Sequence, residues 1–258
     1  MQTFIAPQHQ ALLTQNQLDN FERVWTYKAP WFEEPNSRRG GWSGVGRLVL
    51  KDEAGKEQGV FLKRQENHQR RTFHHPFQGE PTFACEFKMM YYLASKGVPV
   101  PTPMFFSQQG RGEQAQAILM TEELLHFTPL ETVTEELFVT AKAGISTRRS
   151  ILRGVAATVR KMHAAGIQHR SLYPKHLFVR MAMENDPEVV IIDLEKSRRK
   201  FISSIRTVYD LASLNRHAKH WSRTERLYFF KYYRGTKKLT PWAKFLCRLI
   251  YKRSHRPK

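Results

Sequence analysis

The chain is predicted to be an α+β protein: a small, mainly antiparallel β-rich part with one helix and a leading extension over 1–124, and a mostly helical part over 125–258. Three observations carry this. Apolar runs at 48–51 and 59–64 flank a polar turn at 52–56, as in an antiparallel hairpin. Residues 150–165 place Ile151, Val155, Val159 and Met162 on one helical face and stop at Gly166. Between them in character is 167–193, where I-Q-H-R-S-L-Y-P-K-H-L-F-V-R is followed by V-V-I-I-D-L-E. That spacing suits two short strands joined by a turn at 184–187, bringing the loop after His169 and the carboxylate of Asp193 to one mouth.

At 258 residues the chain can bury a substantial core without staples, and its 41% hydrophobic content is ordinary for a globular protein. Lys and Arg number 42 against 23 Asp and Glu, a formal charge of +19. Such a balance attracts polyanions, whether nucleic acid, an anionic membrane surface or a phosphorylated substrate. Cys85 and Cys247 lie far apart without metal-ligand spacing, so reduced thiols in a cytosolic compartment are expected. Residues 1–13 lack the basic start and long apolar core of a signal peptide or anchor, and no apolar run approaches a bilayer span.

Taken in order, 19–31 mixes aromatics and charges before Pro30 and Pro35, which suggests a short helix, a turn and a packing role. Residues 38–51, R-R-G-G-W-S-G-V-G-R-L-V-L-K, put Gly41, Gly44 and Gly46 in a glycine-rich turn before an apolar strand, where a bare backbone can approach phosphates. The order is neither G-x-G-x-x-G nor a Walker motif. In G-V-F-L-K-R, Val60, Phe61 and Leu62 lead to Lys63. Residues 68–75 are His-rich and basic but fit no common zinc spacing, and suggest a mobile cationic loop. Pro81 suits a first helical position, and 82–95 reads as a helix ended by Lys96-Gly97. Its apolar stripe is Phe83, Phe87, Met90 and Tyr91, with Glu86 able to point toward Lys63. Residues 98–103 are an extended connector, 115–120 a strand, and Thr121-Glu122-Glu123-Leu124 its polar joint. Beyond the 167–193 stretch, 196–200 is densely basic, and 205–217 resumes helical spacing with Val208, Leu211 and Leu214 inward and Asp210 among them. The end, 221–258, interleaves aromatics with Lys and Arg, which fits both a core-covering helix and one lying on an anionic membrane.

Lys63, Glu86, the T-E-E-L joint, H-R-x-x-Y-x-x-H at 169–176, I-D-L at 192–194 and Y-D-L-A at 209–212 resemble, in that order, the bacterial lipopolysaccharide kinases: the core-heptose and Kdo kinases with their InaA-type branch. The similarity covers roughly 40–230. It implies a protein-kinase-like, two-lobed fold, use of ATP and magnesium, and phosphorylation of a heptose or Kdo sugar of the lipopolysaccharide inner core at the cytoplasmic face of the inner membrane. Peripheral attachment would run through the basic tail, with a lipid-linked core oligosaccharide as substrate and no specific nucleic-acid partner. By resemblance, Lys63 matches the phosphate-binding lysine and Glu86 its helix partner. Gly41, Gly44 and Gly46 match the nucleotide cover, and Glu122 and Leu124 lie in the adenine-binding joint. His169, Ser171, Lys175 and Asp193 fall in the catalytic group, Asp193 and His176 at the metal, and Asp210 at the brace beneath the loop.

Ser171 is the departure. The heptose kinases carry Asp there, and a hydroxyl cannot accept a proton near neutral pH. Phosphoryl transfer rests mainly on positioning and electrostatics, and Lys175 is placed to neutralise charge on the γ-phosphate. Imidazole at His176 suits manganese better than hard magnesium. Three readings follow: an active lipid-sugar kinase, a kinase-like protein that binds without transfer, and a basic nucleic-acid-binding module.

Overall fold

The computed structural model describes residues 2–38, 40–72, 77–181 and 187–256. The chain divides into one unit running to Tyr91 and including Pro101–Leu125, and a second formed by Tyr92–Val100 and everything from His126 onward. The sequence expectation drew a single boundary at 124/125.

The first unit is built on a six-stranded, wholly antiparallel sheet. Its elements are β1 (Gln2–Ile5), α1 (Gln10–Gln15), α2 (Phe21–Thr26), β2 (Trp31–Arg38), β3 (Gly41–Lys51), β4 (Glu57–Glu66), a small ribbon of β5 (Gln69–Arg70) and β6 (Glu80–Pro81), α3 (Thr82–Ser95), β7 (Pro103–Gln109) and β8 (Gln116–Glu122). The sheet order is β1-β7-β8-β4-β3-β2. Because side chains alternate across a strand, β3 and β4 turn Leu48, Leu50, Val60 and Leu62 to one face, where they pack with Leu13, Phe21 and Val24 of the first two helices. The expected packing role of 19–31 is therefore a core role, and Asn20 caps α2 by accepting from the Arg23 N–H. The alternate residues of β4, Lys63 and Gln65, face α3. Gln65 Oε1 accepts from the Phe83 N–H and the Thr82 hydroxyl, both at 2.8 Å, and Phe87 stacks on Phe106 with centroids 4.4 Å apart.

The hairpin turn at 52–56 is present, closed by Asp52 Oδ1 accepting from the Ala54 and Lys56 N–H groups. So is the 82–95 helix, whose end is marked by Gly97 at φ +67°. Three expectations give way. The short helix expected within 19–31 is α2, but where a turn was expected at Pro30 to Pro35 residues 31–38 form a strand: β2 is the sheet edge, where a proline costs no ladder bond, and the register shifts around Pro35. Tyr91 is exposed, and Leu93 takes the buried place on α3. Of the supposed mobile loop, Phe73–Pro76 lie outside the described residues. His68 is buried, its Nδ1 3.1 Å from the Thr82 hydroxyl and its carbonyl accepting from Gln65.

The second unit contains β9 (Thr128–Pro129), α4 (Leu130–Thr134) running into a π turn, α5 (Ile145–Ala164), β10 (Ile167–Gln168), β11 (Leu177–Arg180), β12 (Glu188–Ile191), β13 (Arg198–Arg199), α6 (Ser203–His217), α7 (Arg223–Arg234) and α8 (Pro241–Ser254). Helix α5 starts five residues earlier than its apolar pattern and buries Ile151, Val155, Val159 and Met162 as expected. At Gly154 it passes so close to the chain entering β12 that a Cβ would stand 2.5 Å from the Pro187 carbonyl. Strands β11 and β12 pair antiparallel from Leu177↔Ile191 to Arg180↔Glu188. Residues 182–186, most of the expected turn, lie outside the described residues. On α6 the buried stripe is Arg206, Thr207, Asp210, Leu211 and Leu214, with Val208 only partly covered. The connector joins this unit: the Ile191 N–H donates to Pro99 O at 3.1 Å, and Tyr92 Oη to Ala165 O at 2.9 Å.

Candidate active site

In the first unit, period-two alternation turns Lys63 away from the Leu62 core face, and the helical turn carrying Phe83 and Phe87 brings Glu86 beneath it. Lys63 Nζ donates to Glu86 Oε1 at 2.8 Å, the carboxylate side chain being 1% exposed. A charge so deeply buried is tolerable only when paired and hydrogen-bonded, so the pair fixes the lysine's extension.

The expected glycine-rich turn is not one. Gly41, Gly44 and Gly46 lie in strand β3, and close packing within the unit accounts for them. A Cβ on Gly44 would stand 2.6 Å from the Trp31 ring, one on Gly46 3.0 Å from Ala29 Cβ, and one on Gly41 2.1 Å from Glu66 O. At the T-E-E-L joint, the Glu122 N–H donates to Thr102 O at 3.0 Å, and its carboxylate meets His9 Nε2 at 2.9 Å. Leu124 follows partly exposed. Glu123, which the sequence did not single out, takes both guanidinium arms of Arg47 at 2.7 and 2.8 Å.

In the second unit the loop after β10 is held from below. Asp210, fully buried on α6, accepts the His169 N–H at 2.7 Å and the Arg170 N–H at 2.9 Å. Its Oδ2 also lies 3.1 Å from His163 Nε2, whose Nδ1 lies 2.7 Å from Tyr233 Oη, itself 2.8 Å from Thr207 Oγ1. This chain ties α5, α6 and α7 to the loop. Sequence reasoning placed Asp210 but missed His163 and Tyr233; the one available signal was His163 four residues beyond Val159 on the buried face of α5. Arg170 and Asp193 adopt φ values of 69° and 58°. Left-handed backbone is costly outside glycine and persists where surrounding bonds impose it, which the paired N–H donation to Asp210 does for Arg170.

His169 is fully buried, its Nε2 donating to Ile192 O at 3.0 Å and its Nδ1 accepting from the Ser171 N–H at 3.3 Å. Burial holds its pKa below the usual imidazole range. Both nitrogens of His169, expected in the catalytic group, are thus engaged, Nε2 with Ile192 beyond the loop and Nδ1 within it. Ser171 is also buried, and its carbonyl accepts from His176 Nδ1 at 2.8 Å. Asp193 Oδ2 lies 3.2 Å from that same Nδ1. Burial pushes His176 down to about 4, so the ring is neutral near pH 7. With Nδ1 facing two acceptors, that nitrogen carries the proton and Nε2 keeps its lone pair. Lys175, between Pro174 and His176 in a short 3-10 turn, is exposed.

The donor set bears on a metal. Asp193 supplies a hard carboxylate and His176 Nε2 a borderline nitrogen, a mixture that fits manganese more closely than magnesium. Among the described residues no group of three or more His, Cys, Asp or Glu side chains stands together.

Comparison with known proteins places these features in a family. The model of the lipopolysaccharide kinase (Kdo/WaaP) family matches residues 22–233. Protein InaA of Escherichia coli strain K12 is 29% identical over 216 residues, spanning 82% of this chain and 96% of that protein. The lipopolysaccharide core heptose(I) kinase WaaP of the same strain is 28% identical over 117 residues, 44% of either chain. Among solved structures, WaaP in complex with acyl carrier protein matches with a TM-score of 0.72 at 21% identity over 98% of both chains. That likeness is one of fold, and it agrees with the α+β, protein-kinase-like class. Since the family model takes in Lys63, Glu86, the 169–176 loop, Asp193 and Asp210, the chain belongs to the lipopolysaccharide kinase (Kdo/WaaP) family.

Proposed function

We propose that this protein transfers the γ-phosphoryl group of ATP to a hydroxyl of a heptose or Kdo sugar in the lipopolysaccharide inner core. It would do so while peripherally attached to the cytoplasmic face of the inner membrane. The observation that carries the reading is the loop of the second unit: Asp210 clamps its backbone, and His176 and Asp193 are brought within 3.2 Å. In this reading the Lys63 ammonium, held by Glu86, meets the α- and β-phosphates, while Asp193 and His176 hold a divalent cation, which when bound neutralises charge on phosphate oxygens. His169 positions the loop through Ile192 and Ser171. The sugar oxygen forms the new bond to phosphorus as the bond to the β-phosphate oxygen breaks, and its proton leaves to solvent, because Ser171 is no base. The test is purified protein with ATP and Mg²⁺ or Mn²⁺ on dephosphorylated core lipopolysaccharide, read as phosphate incorporated. Ser171 in place of a carboxylate favours one rival, a nucleotide-binding protein without transfer. Binding with no transfer to any core sugar would establish that rival.

Lys175→Ala separates the two. An exposed cation on a turn stiffened by Pro174 can meet a transferring phosphoryl group, and such electrostatic contacts are often worth more than a general base. Turnover should fall by at least about tenfold with nucleotide affinity little changed, as for an interaction made mainly in the transition state. Unchanged turnover would make Lys175 an ordinary surface lysine.

Membrane attachment is assigned to α8. Its inner stripe, Ala243, Leu246 and Ile250, is buried in the unit, while Trp242 and Phe245 stand exposed and stacked at 5.4 Å beside Lys244, Arg248 and Lys252. Removing residues 242–258 would strip core contacts as well, so the cleaner change is Trp242→Ala with Phe245→Ala. Binding to anionic vesicles should fall by roughly tenfold, because apolar burial acts with basic attraction. Chain stability should stay within about 0.5 kcal/mol. Vesicle binding that ignores the pair would remove α8 from the reading.

A further inference from the structure

The second unit holds a cavity of about 440 Å³ apart from the loop's reactive face, lined by Arg170, Arg198, Arg216, Arg253, Arg256 and Gln168. We propose that it is a binding site for a phosphate ester that also offers a hydroxyl, a ligand distinct from the nucleotide.

The charge is the first argument. Five guanidinium groups border a volume suited to a small ligand, roughly 300–1,000 Å³, and the carboxylate in its wall, Asp210, is fully buried and already engaged by His163, His169 and Arg170. Asp210 is the one acidic residue that lines the cavity among the described residues, and guanidinium forks match phosphate oxygens two at a time.

Placement is the second. Arg253 lies over the Tyr209 ring at 3.5 Å. Arg216 donates through Nε to Ser254 O and through Nη2 to Arg253 O and Arg256 O, at 2.9 to 3.1 Å, pinning the end of α8 beside α6. Arg198 is the strand partner of Gln168 across β10 and β13. The Arg216 and Arg253 side chains and the Arg198 backbone are therefore held beside the cavity by other parts of the unit, which lowers the entropy cost of gathering them on a ligand.

Gln168 is the third argument and the one that points to a ligand. The residue is 2% exposed, lines the cavity, and its Oε1 has no hydrogen-bond partner among the described residues. A buried acceptor left unmade costs about 1–3 kcal/mol, and a ligand hydroxyl, from a protonated phosphate or a sugar, would satisfy it. Arg170 connects the site to the loop, since its backbone N–H is one of the two that Asp210 clamps.

The experiment is calorimetric titration of the full chain with inorganic pyrophosphate at about 0.15 M salt, where exposed charges more than about 8 Å apart are largely screened. Arg198→Ala with Arg253→Ala should weaken binding at least tenfold. Lys237→Ala with Lys238→Ala removes the same charge from an exposed loop elsewhere and should change it less than twofold, and Lys63→Met should leave it unchanged. Arg198→Ala alone, at an exposed position, should give a partial loss and guards against misfolding of the double variant. Equal losses from the arginine and lysine pairs would show only the field of a +19 chain, and loss on Lys63→Met alone would put pyrophosphate in the nucleotide site; either overturns the proposal. If pyrophosphate fails but phosphatidylcholine vesicles containing phosphatidic acid bind in a way the arginine pair abolishes, the phosphate is a lipid headgroup and the site stands. Failure of both probes overturns it.

Discussion

Lys63→Met and Asp193→Asn should each abolish the thermal stabilisation that ATP with a divalent cation gives the wild-type chain. A ligand that binds only the folded state raises stability by RT ln(1 + [L]/Kd), so a saturating excess of about 100-fold over Kd contributes about 2.7 kcal/mol, and this disappears with the site. The two changes are not alike in the absence of nucleotide. Lys63→Met leaves the Glu86 carboxylate 1% exposed with its ammonium partner gone, and stranding a buried charge costs about 3–5 kcal/mol. Its midpoint without ligand should drop, and Glu86→Gln added to it should recover much of that drop without restoring the response to ATP. Asp193 is a quarter exposed on its side chain, so Asp193→Asn should cost little in folding. The quantity to read is the difference between midpoints with and without ATP. A full response in both variants would remove the nucleotide-site assignment; loss in one alone would remove the other residue from it.

The second large effect is expected at Asp210. Its hydrogen-bond partners are donors: the N–H groups of His169 and Arg170 and the Nε2 side of His163. Asp210→Ala orphans the buried His169 N–H at about 1–3 kcal/mol and the part-buried Arg170 N–H, and releases the left-handed backbone of Arg170, so a loss of about 3–5 kcal/mol in unfolding free energy is expected. Asp210→Asn should rescue little. One amide oxygen can accept, but the NH₂ group is then directed at another donor on whichever side it lies. Denaturant unfolding of the three proteins checks this, and an Asn variant within about 1 kcal/mol of wild type would show that the brace is not held by the carboxylate's two acceptors. Turnover in Asp210→Asn should fall even where the protein is folded, because the loop carrying Lys175 and His176 loses its fixed backbone.

How much of this was legible in the sequence depends on the range of the forces involved. Turn and cap chemistry is local, so the 52–56 turn and helix 82–95 with its Gly97 stop could be placed from a few adjacent residues. Periodicity is nearly as local, and it gave α5 its buried face and Lys63 its place on the strand face opposite Leu62. The order of short motifs pointed to the family, because loop chemistry demands particular residue types at particular spacings. Beyond those ranges the letters were ambiguous. W-F-E-E-P-N-S-R carries a proline and acidic residues and reads as a turn; it becomes a strand because it lies at a sheet edge, where a missing N–H goes unnoticed. The glycines of β3 look like phosphate-binding ones, and only the Trp31 ring and Ala29 packed against them show what their missing side chains make room for. His169 could be assigned to chemistry from its motif, yet whether its nitrogens are free depends on Ile192, 23 residues away. The link from Asp210 through His163 to Tyr233, and the arginines gathered around Gln168, join residues up to 88 positions apart in the chain. Such groupings arise from how α5, α6, α7 and α8 pack, and packing is decided by the shapes of whole faces, which no short window of sequence contains.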